Sequence, residues 1–218
     1  MEKVFMLCLD VSTTCVGIAL FDYTNEKVLE LKQIEPKVKN ATTESLLYEK
    51  ANLVQTLIEE YKGMPIKHIW IEEPLLGSNN VYTVATLLKF NGIISKMCYD
   101  ILGVAPKYIS SYDSRAKAFP NLMQVGSAKN KLVLFGAYKK KAESIDEIKE
   151  EHRHYYKVDK EGFATLDKKK VVFDEVNKLY PKLDWLKDTK GRLKKNNYDI
   201  ADAITVGISI FNQKPKNT

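Results

Sequence analysis

The sequence predicts an α/β fold, a mixed five-stranded sheet flanked by helices. Three features carry that expectation. A continuous apolar run near the start is followed by two more strand-like segments with short turns between them. Helical and strand periodicities then alternate, and an apolar helix closes the chain.

Residues 4–9 (Val-Phe-Met-Leu-Cys-Leu) run apolar without a break up to Asp10, as a central strand buried on both faces would. Ser12-Thr13-Thr14 has turn chemistry, and residues 15–21 alternate small and large apolar side chains around Gly17. A third strand is expected at 27–34, after the turn Tyr23-Thr24-Asn25, which makes an antiparallel meander. Helix signals begin at Thr43 and Glu44. Leu46, Leu47, Ala51, Val54, Leu57, Ile58 and Tyr61 follow at helical spacing, and Lys62-Gly63 ends the segment. A strand at 67–72 stops before Pro74, a helix covers 81–102, and a short fifth strand covers 107–110. A third long helix is expected at 127–142 and the last at 198–211. Residues 143–195 break the alternation: they are highly charged and hold Gly162, Pro181 and Gly191, although Val171, Val172, Phe173, Val176 and Leu179 fit a helix. The expected organisation is one domain built from 1–142 and 196–218, with 143–195 a basic insertion that has some structure of its own.

The 218 residues suffice for one well-packed domain, and 44% hydrophobic with 28% charged residues is ordinary for a globular chain. No apolar run approaches the roughly 20 residues of a membrane helix. The N-terminal apolar stretch is too short for a signal-peptide core, so the expected location is the compartment of synthesis, the cytoplasm. Cys8, Cys15 and Cys98 are odd in number and lack CxxC spacing, which argues against disulfides or a thiolate zinc site. The formal charge is +6 with a pI near 9.0, compatible with a polyanionic partner. From Lys139 to Lys195 there are 17 Lys and Arg against 12 Asp and Glu, so most of the excess lies there, as a solvated face or as a DNA-contacting one.

Four carboxylates stand where structure alone gives little reason for them. Asp10 ends the first strand, Glu72 ends the fourth, and Asp199 and Asp202 open the last helix. Spacing of i, i+3 puts the last two on one helix face. If strands one and four are neighbours, Asp10 and Glu72 sit side by side. Singly, each has an ordinary alternative: a turn or cap residue at a strand end, or an acid that suits a helix N-terminus. Together they repel unless a cation neutralises them, and hard oxygen ligands suit Mg²⁺, with Mn²⁺ able to substitute. Adjacent strand residues face opposite ways, so only one of Glu72 and Glu73 can join Asp10. No Ser-His-Asp or Cys-His arrangement competes, and His68, His152 and His154 are expected to pack or face solvent.

Leu7-Cys8-Leu9-Asp10-Val11-Ser12 with Gly17 downstream resembles the first motif of the RuvC-type Holliday junction resolvases, which belong to the RNase H-like nuclease superfamily. Ile71-Glu72-Glu73 with Asn79-Asn80 resembles their second motif, and Glu72 follows the apolar Ile71 as the family's glutamate does. Val125-Gly126-Ser127-Ala128-Lys129 is similar to a further segment, and Asp199-Ile200-Ala201-Asp202-Ala203 to the last motif. The resemblance spans about residues 4–142 and 196–212. It implies an RNase H-like sheet, a homodimer, branched DNA as substrate, and two-metal phosphodiester hydrolysis with Asp10, Glu72, Asp199 and Asp202 as catalytic metal ligands. The chain departs from the compact family in its insertion, and in Leu75 where members place an aromatic residue. A viral or mobile-element member with a different branched substrate would fit these departures.

Phosphate contacts are expected from Lys117, Lys129, Lys131, Lys139 and Lys140, although lysines near a helix end also complement its dipole. Tyr108, Tyr112 and Phe119 could stack on bases or pack in the core. The insertion is expected to tune DNA affinity and to stay out of the chemistry. Two other readings compete: an actin-like or sugar-kinase-like ATP-binding domain, since Asp10-Val11-Ser12-Thr13-Thr14 with Gly17 also resembles that superfamily's phosphate hairpin, and a non-catalytic protein that binds branched DNA.

Overall fold

Strand β1 (Phe5–Val11) is the middle of a five-stranded sheet ordered β3-β2-β1-β4-β5, in which β2 is Val16–Asp22, β3 Lys27–Ile34, β4 Ile66–Glu73 and β5 Lys107–Ser110. The computed structural model describes residues 3–74, 80–125 and 132–215. β1, β2 and β3 form the antiparallel meander, while β4 runs parallel to β1 and β5 parallel to β4. Parallel neighbours need a crossover, and helices α1 (Leu46–Glu59) and α2 (Val81–Leu102) supply them. α2 starts where the Asn80 side chain accepts from the Thr83 amide at 3.1 Å, and ends at Gly103, whose φ of 71° suits glycine.

The two-residue period of β1 sorts the core. Leu7, Leu9 and Val11 face α1 and α2 and pack with Val54, Ile58, Phe90 and Ile94. Met6 and Cys8 face the other way, into a cluster with Phe21, Ile200, Ala201 and Ile204. Met6 through Leu9 are wholly buried, each large side chain contributing about 1.5–3 kcal/mol. A run buried on both faces has no polar alternation, hence its sequence signature. All three cysteines are free and buried.

On the face opposite α1 and α2 lie α3 (Ser111–Ala118), α4 (Lys168–Leu179) and α5 (Asn197–Phe211). The sequence reading did not include α3, which is short and poor in apolar residues. Its signal is the capping pattern Ser110-x-x-Asp113, in which Ser110 Oγ accepts from the Asp113 amide at 3.0 Å.

The helix expected at 127–142 is corrected for its described part. Residues 126–131, with Lys129 and Lys131, lie outside the described residues, as do Leu75 and Asn79. Leu132–Leu134 is extended, not helical: β6 (Met123–Val125) pairs antiparallel with β7 (Leu132–Leu134). Leu-Val-Leu is too short an apolar run to tell helix from strand by period, and Phe135 (φ 62°) followed by Gly136 turns the chain away. Next comes a small sheet ordered β8-β10-β9, from β8 (Lys141–Ala142), β9 (Tyr156–Val158) and β10 (Ala164–Leu166). The helix anticipated around Val171 is α4. Its Val171, Val172, Phe173 and Val176 join the same core cluster as Ala201 and Ile204 of α5, together with Trp185.

Candidate metal centre

The sheet's register places the first two carboxylates. Leu9 pairs with Ile71 across β1 and β4, so Asp10 and Glu72 are next along neighbouring parallel strands. Asp10 shares the face of Met6 and Cys8, and Glu72 that of Trp70, whereas Ile69 and Ile71 pack with α1 and α2. Glu73 is exposed, as the alternation requires.

The other two carboxylates depend on how closely α5 approaches the sheet. Gly17 of β2 lies opposite Asp10 in the ladder, and a Cβ there would meet the Asp199 carbonyl oxygen at 2.5 Å. A Cβ on Gly207 would come within 2.3 Å of the Phe21 ring. These two glycines let α5 lie flush on β2, which brings its first turn beside the end of β1. That turn is also pinned by side chains. Asn196 Nδ2 donates to Gln33 Oε1 at 2.8 Å, and the buried Asn197 exchanges two hydrogen bonds with the Leu186 backbone at 2.8 and 2.9 Å.

As a result, Asp10, Asp199 and Asp202 each offer an oxygen within 4.8 Å of the others. Glu72 adjoins this triad without belonging to it, yet it is the strongest neighbouring charge on Asp10. Burial, then Glu72 and Asp202, hold the Asp10 carboxyl well above the usual carboxylate range. Burial, then Asp202, pushes Glu72 up to about 7. The donor set is all oxygen, half-buried to buried, and crowded with like charges, which fits a hard divalent cation. Glu72 Oε2 is buried with no hydrogen-bond partner, a spare ligand atom of the same kind.

Two cations that the sequence reading did not assign to the site complete it. Arg115 of α3 donates from Nη2 to Asp202 Oδ1 at 2.9 Å and lies 4.0 Å from Glu72 Oε1. Burial works against its charge, but Asp202 and Glu72 outweigh that and hold it above its ordinary value. Lys169 of α4 lies 2.6 Å from Asp199 Oδ1 and 3.3 Å from Asp202 Oδ2. Burial opposes its charge too, and Asp202, Asp10 and Asp199 hold it above the usual lysine value. No local signal marks Arg115. Lys169 was hidden in the run Lys168-Lys169-Lys170, inside the stretch expected to stay clear of the chemistry.

A cleft opens on each side of the cluster. One, of about 690 Å³, is lined by Thr13, Thr14, Lys37, Lys50, Lys169 and Asp199 among others. The other, of about 310 Å³, holds Tyr112, Arg115, Phe135, Lys140 and Lys168. Of the lysines expected to meet phosphate, Lys140 therefore borders the site. Lys139 pairs with Glu147, and Lys117 donates to Gln213 Oε1 at 2.9 Å. Tyr112 is exposed, whereas Phe119 is core. His68 packs against Tyr23 and His152 against Tyr138, as tilted ring pairs with centroids 4.2 and 4.7 Å apart.

No protein-family model matches the sequence, and no curated protein matches it. Solved structures do match. Thermus thermophilus RuvC in complex with a Holliday junction substrate is similar with a TM-score of 0.53 and 9% identity, over 96% of this chain and 93% of that one. A second Thermus thermophilus RuvC structure gives 0.51 and 11%, over 95% and 93%. The β3-β2-β1-β4-β5 sheet with helices on both faces is thus the RNase H-like fold of the RuvC structures, matched along nearly the whole length of both chains.

Proposed function

We propose that the protein is a divalent-metal-dependent endonuclease that resolves four-way DNA junctions. The observation that carries this reading is the meeting of Asp10 from β1 with Asp199 and Asp202 from α5 within 4.8 Å, two stretches far apart in sequence, with Glu72 of a third on the adjoining strand. Four carboxylates this close repel one another, and Arg115 and Lys169 bring only two positive charges against them, which supports a bound cation. The junction in the similar RuvC complex supports the choice of substrate.

In this reading Asp10, Asp199 and Asp202 would hold Mg²⁺ or Mn²⁺, with Glu72 as the further ligand that a two-metal site needs. Bound divalent cations supply an activated water and stabilise the leaving 3′ oxygen. The chain's own groups do the rest. The i, i+3 spacing on α5 aims Asp199 and Asp202 at one point, and Arg115 holds Asp202 and Glu72 in place. Lys140 and Lys168 in one cleft and Lys50 in the other would seat the phosphates that flank the cut. Two symmetric cuts in one junction need two such sites, hence a homodimer.

Incubation with four-way, three-way, flap and linear DNA under Mg²⁺ or Mn²⁺ tests the proposal. Paired symmetric nicks in the four-way junction are expected, none in EDTA, and a dimer by sizing chromatography. No divalent-dependent cutting of any substrate would overturn it.

A further inference from the structure

The two cations in the carboxylate cluster are held differently. Arg115 is nearly enclosed, with 13% of its side chain exposed, and its planar fork meets Asp202 and approaches Glu72 on two different elements. Lys169 is 46% exposed, stands in the first turn of α4, and lines the 690 Å³ cleft. Its partners are Asp199 and Asp202, two of the three residues that form the candidate metal triad.

We propose that Lys169 is an exchangeable counter-ion, which releases Asp199 and Asp202 to a divalent cation and then binds a DNA phosphate in the adjoining cleft. The inference rests on the metal-dependent reading of the site. A cation bonded at about 2.1 Å to those carboxylates would share oxygens that Lys169 now holds at 2.6 and 3.3 Å. Two positive charges cannot share both partners without strong repulsion in a buried site. Lys169 can leave at little cost, because an ammonium on a flexible four-carbon stem hydrates well and one side of it already faces the cleft. Arg115 stays, being pre-organised between partners with almost no water around it. The neighbours do not duplicate Lys169: Lys170 Nζ donates to the His154 carbonyl at 2.6 Å, and Lys168 lines the opposite cleft. A lysine tied to carboxylates cannot neutralise phosphate. Metal and DNA binding should therefore strengthen each other, and reciprocally.

The test uses the full-length protein, wild type against Lys169→Met, with Lys169→Gln as a second variant and circular dichroism to verify folding. Calorimetry measures Ca²⁺ binding without DNA, and fluorescence anisotropy follows a labelled four-way junction across a salt series in Ca²⁺ or in EDTA. Removing a competing cation should tighten Ca²⁺ binding about 10-fold. In Ca²⁺ the variants should lose about one unit of the salt slope, the signature of one lost phosphate contact, and in EDTA they should keep the wild-type slope. Ca²⁺ affinity that is unchanged or weaker overturns the proposal. So does a slope lost equally in both conditions, which marks a plain phosphate ligand, or lost in neither, which marks a structural ion pair. If the wild type binds neither Ca²⁺ nor the junction, the nuclease reading itself fails.

Discussion

Replacing Arg115 with Met keeps the buried stem and removes the charge that faces Asp202 and Glu72. The pair with Asp202 is 2.9 Å long, and its side chains are 13% and 2% exposed, so water cannot replace the lost partner. Removing one member of a buried ion pair costs about 3–5 kcal/mol. The low end applies here, for two reasons. Lys169 still sits 3.3 Å from Asp202 Oδ2, and Glu72, already near pKa 7, can take up a proton to relieve part of the repulsion. We expect a loss of about 3 kcal/mol in EDTA, roughly a 6–12 °C fall in Tm for a chain of this size. Saturating Mg²⁺ supplies the missing positive charge and should shrink the loss to about 1 kcal/mol. Urea unfolding at pH 7.5, with EDTA or Mg²⁺, measures both values. A loss under about 1 kcal/mol in EDTA, or the same loss in both conditions, would refute the counter-ion argument.

Asp202→Asn should abolish Mg²⁺-dependent nicking while leaving junction affinity within a few-fold in an anisotropy assay; wild-type cutting by this variant would remove Asp202 from the site. Because burial raises the Asp10 and Glu72 carboxyls, the native state favours their protonated forms. Metal-free stability from these groups is therefore fully present below the ordinary carboxylate range and lost as pH rises through about 7 for Glu72. In EDTA the wild type should lose more stability between pH 5 and 8 than Glu72→Gln does, and equal losses would contradict the assignment. Gly17→Ala should push the first turn of α5 off β2, since the new methyl meets backbone at 2.5 Å; a crystal structure with Asp199 still beside Asp10, and unchanged Mn²⁺ affinity, would show that the close approach is not needed. Replacing 143–195 with a short Gly/Ser connector removes Val171, Phe173, Val176 and Trp185 from the core and should leave the chain unfolded by circular dichroism. A cooperative native-like melt would count against that.

What the sequence determined by itself was whatever depends on neighbours along the chain. The unbroken apolar run of β1, the alternation of small and large residues in β2, the helical spacing of α1 and α2, and the Asp199/Asp202 pair are local patterns. The spans read for α2 and β5 match those of the fold. The same locality explains why Asp10, Glu72 and the α5 pair could be named: each sits at the end of a strongly periodic element, where an acid is out of pattern. Short elements carry too few periods to read, so β7 passed for part of a helix and α3 went unseen. Arg115 and Lys169 could not be singled out, because a cation in an ion-pair cluster looks like any surface charge until its partners are in place. Only the tertiary structure decided that α4, from the most charged stretch of the chain, packs against α5 and carries Lys169 to Asp199 and Asp202. Long-range Coulomb contacts and burial set the character of this site, and neither quantity exists until the elements meet.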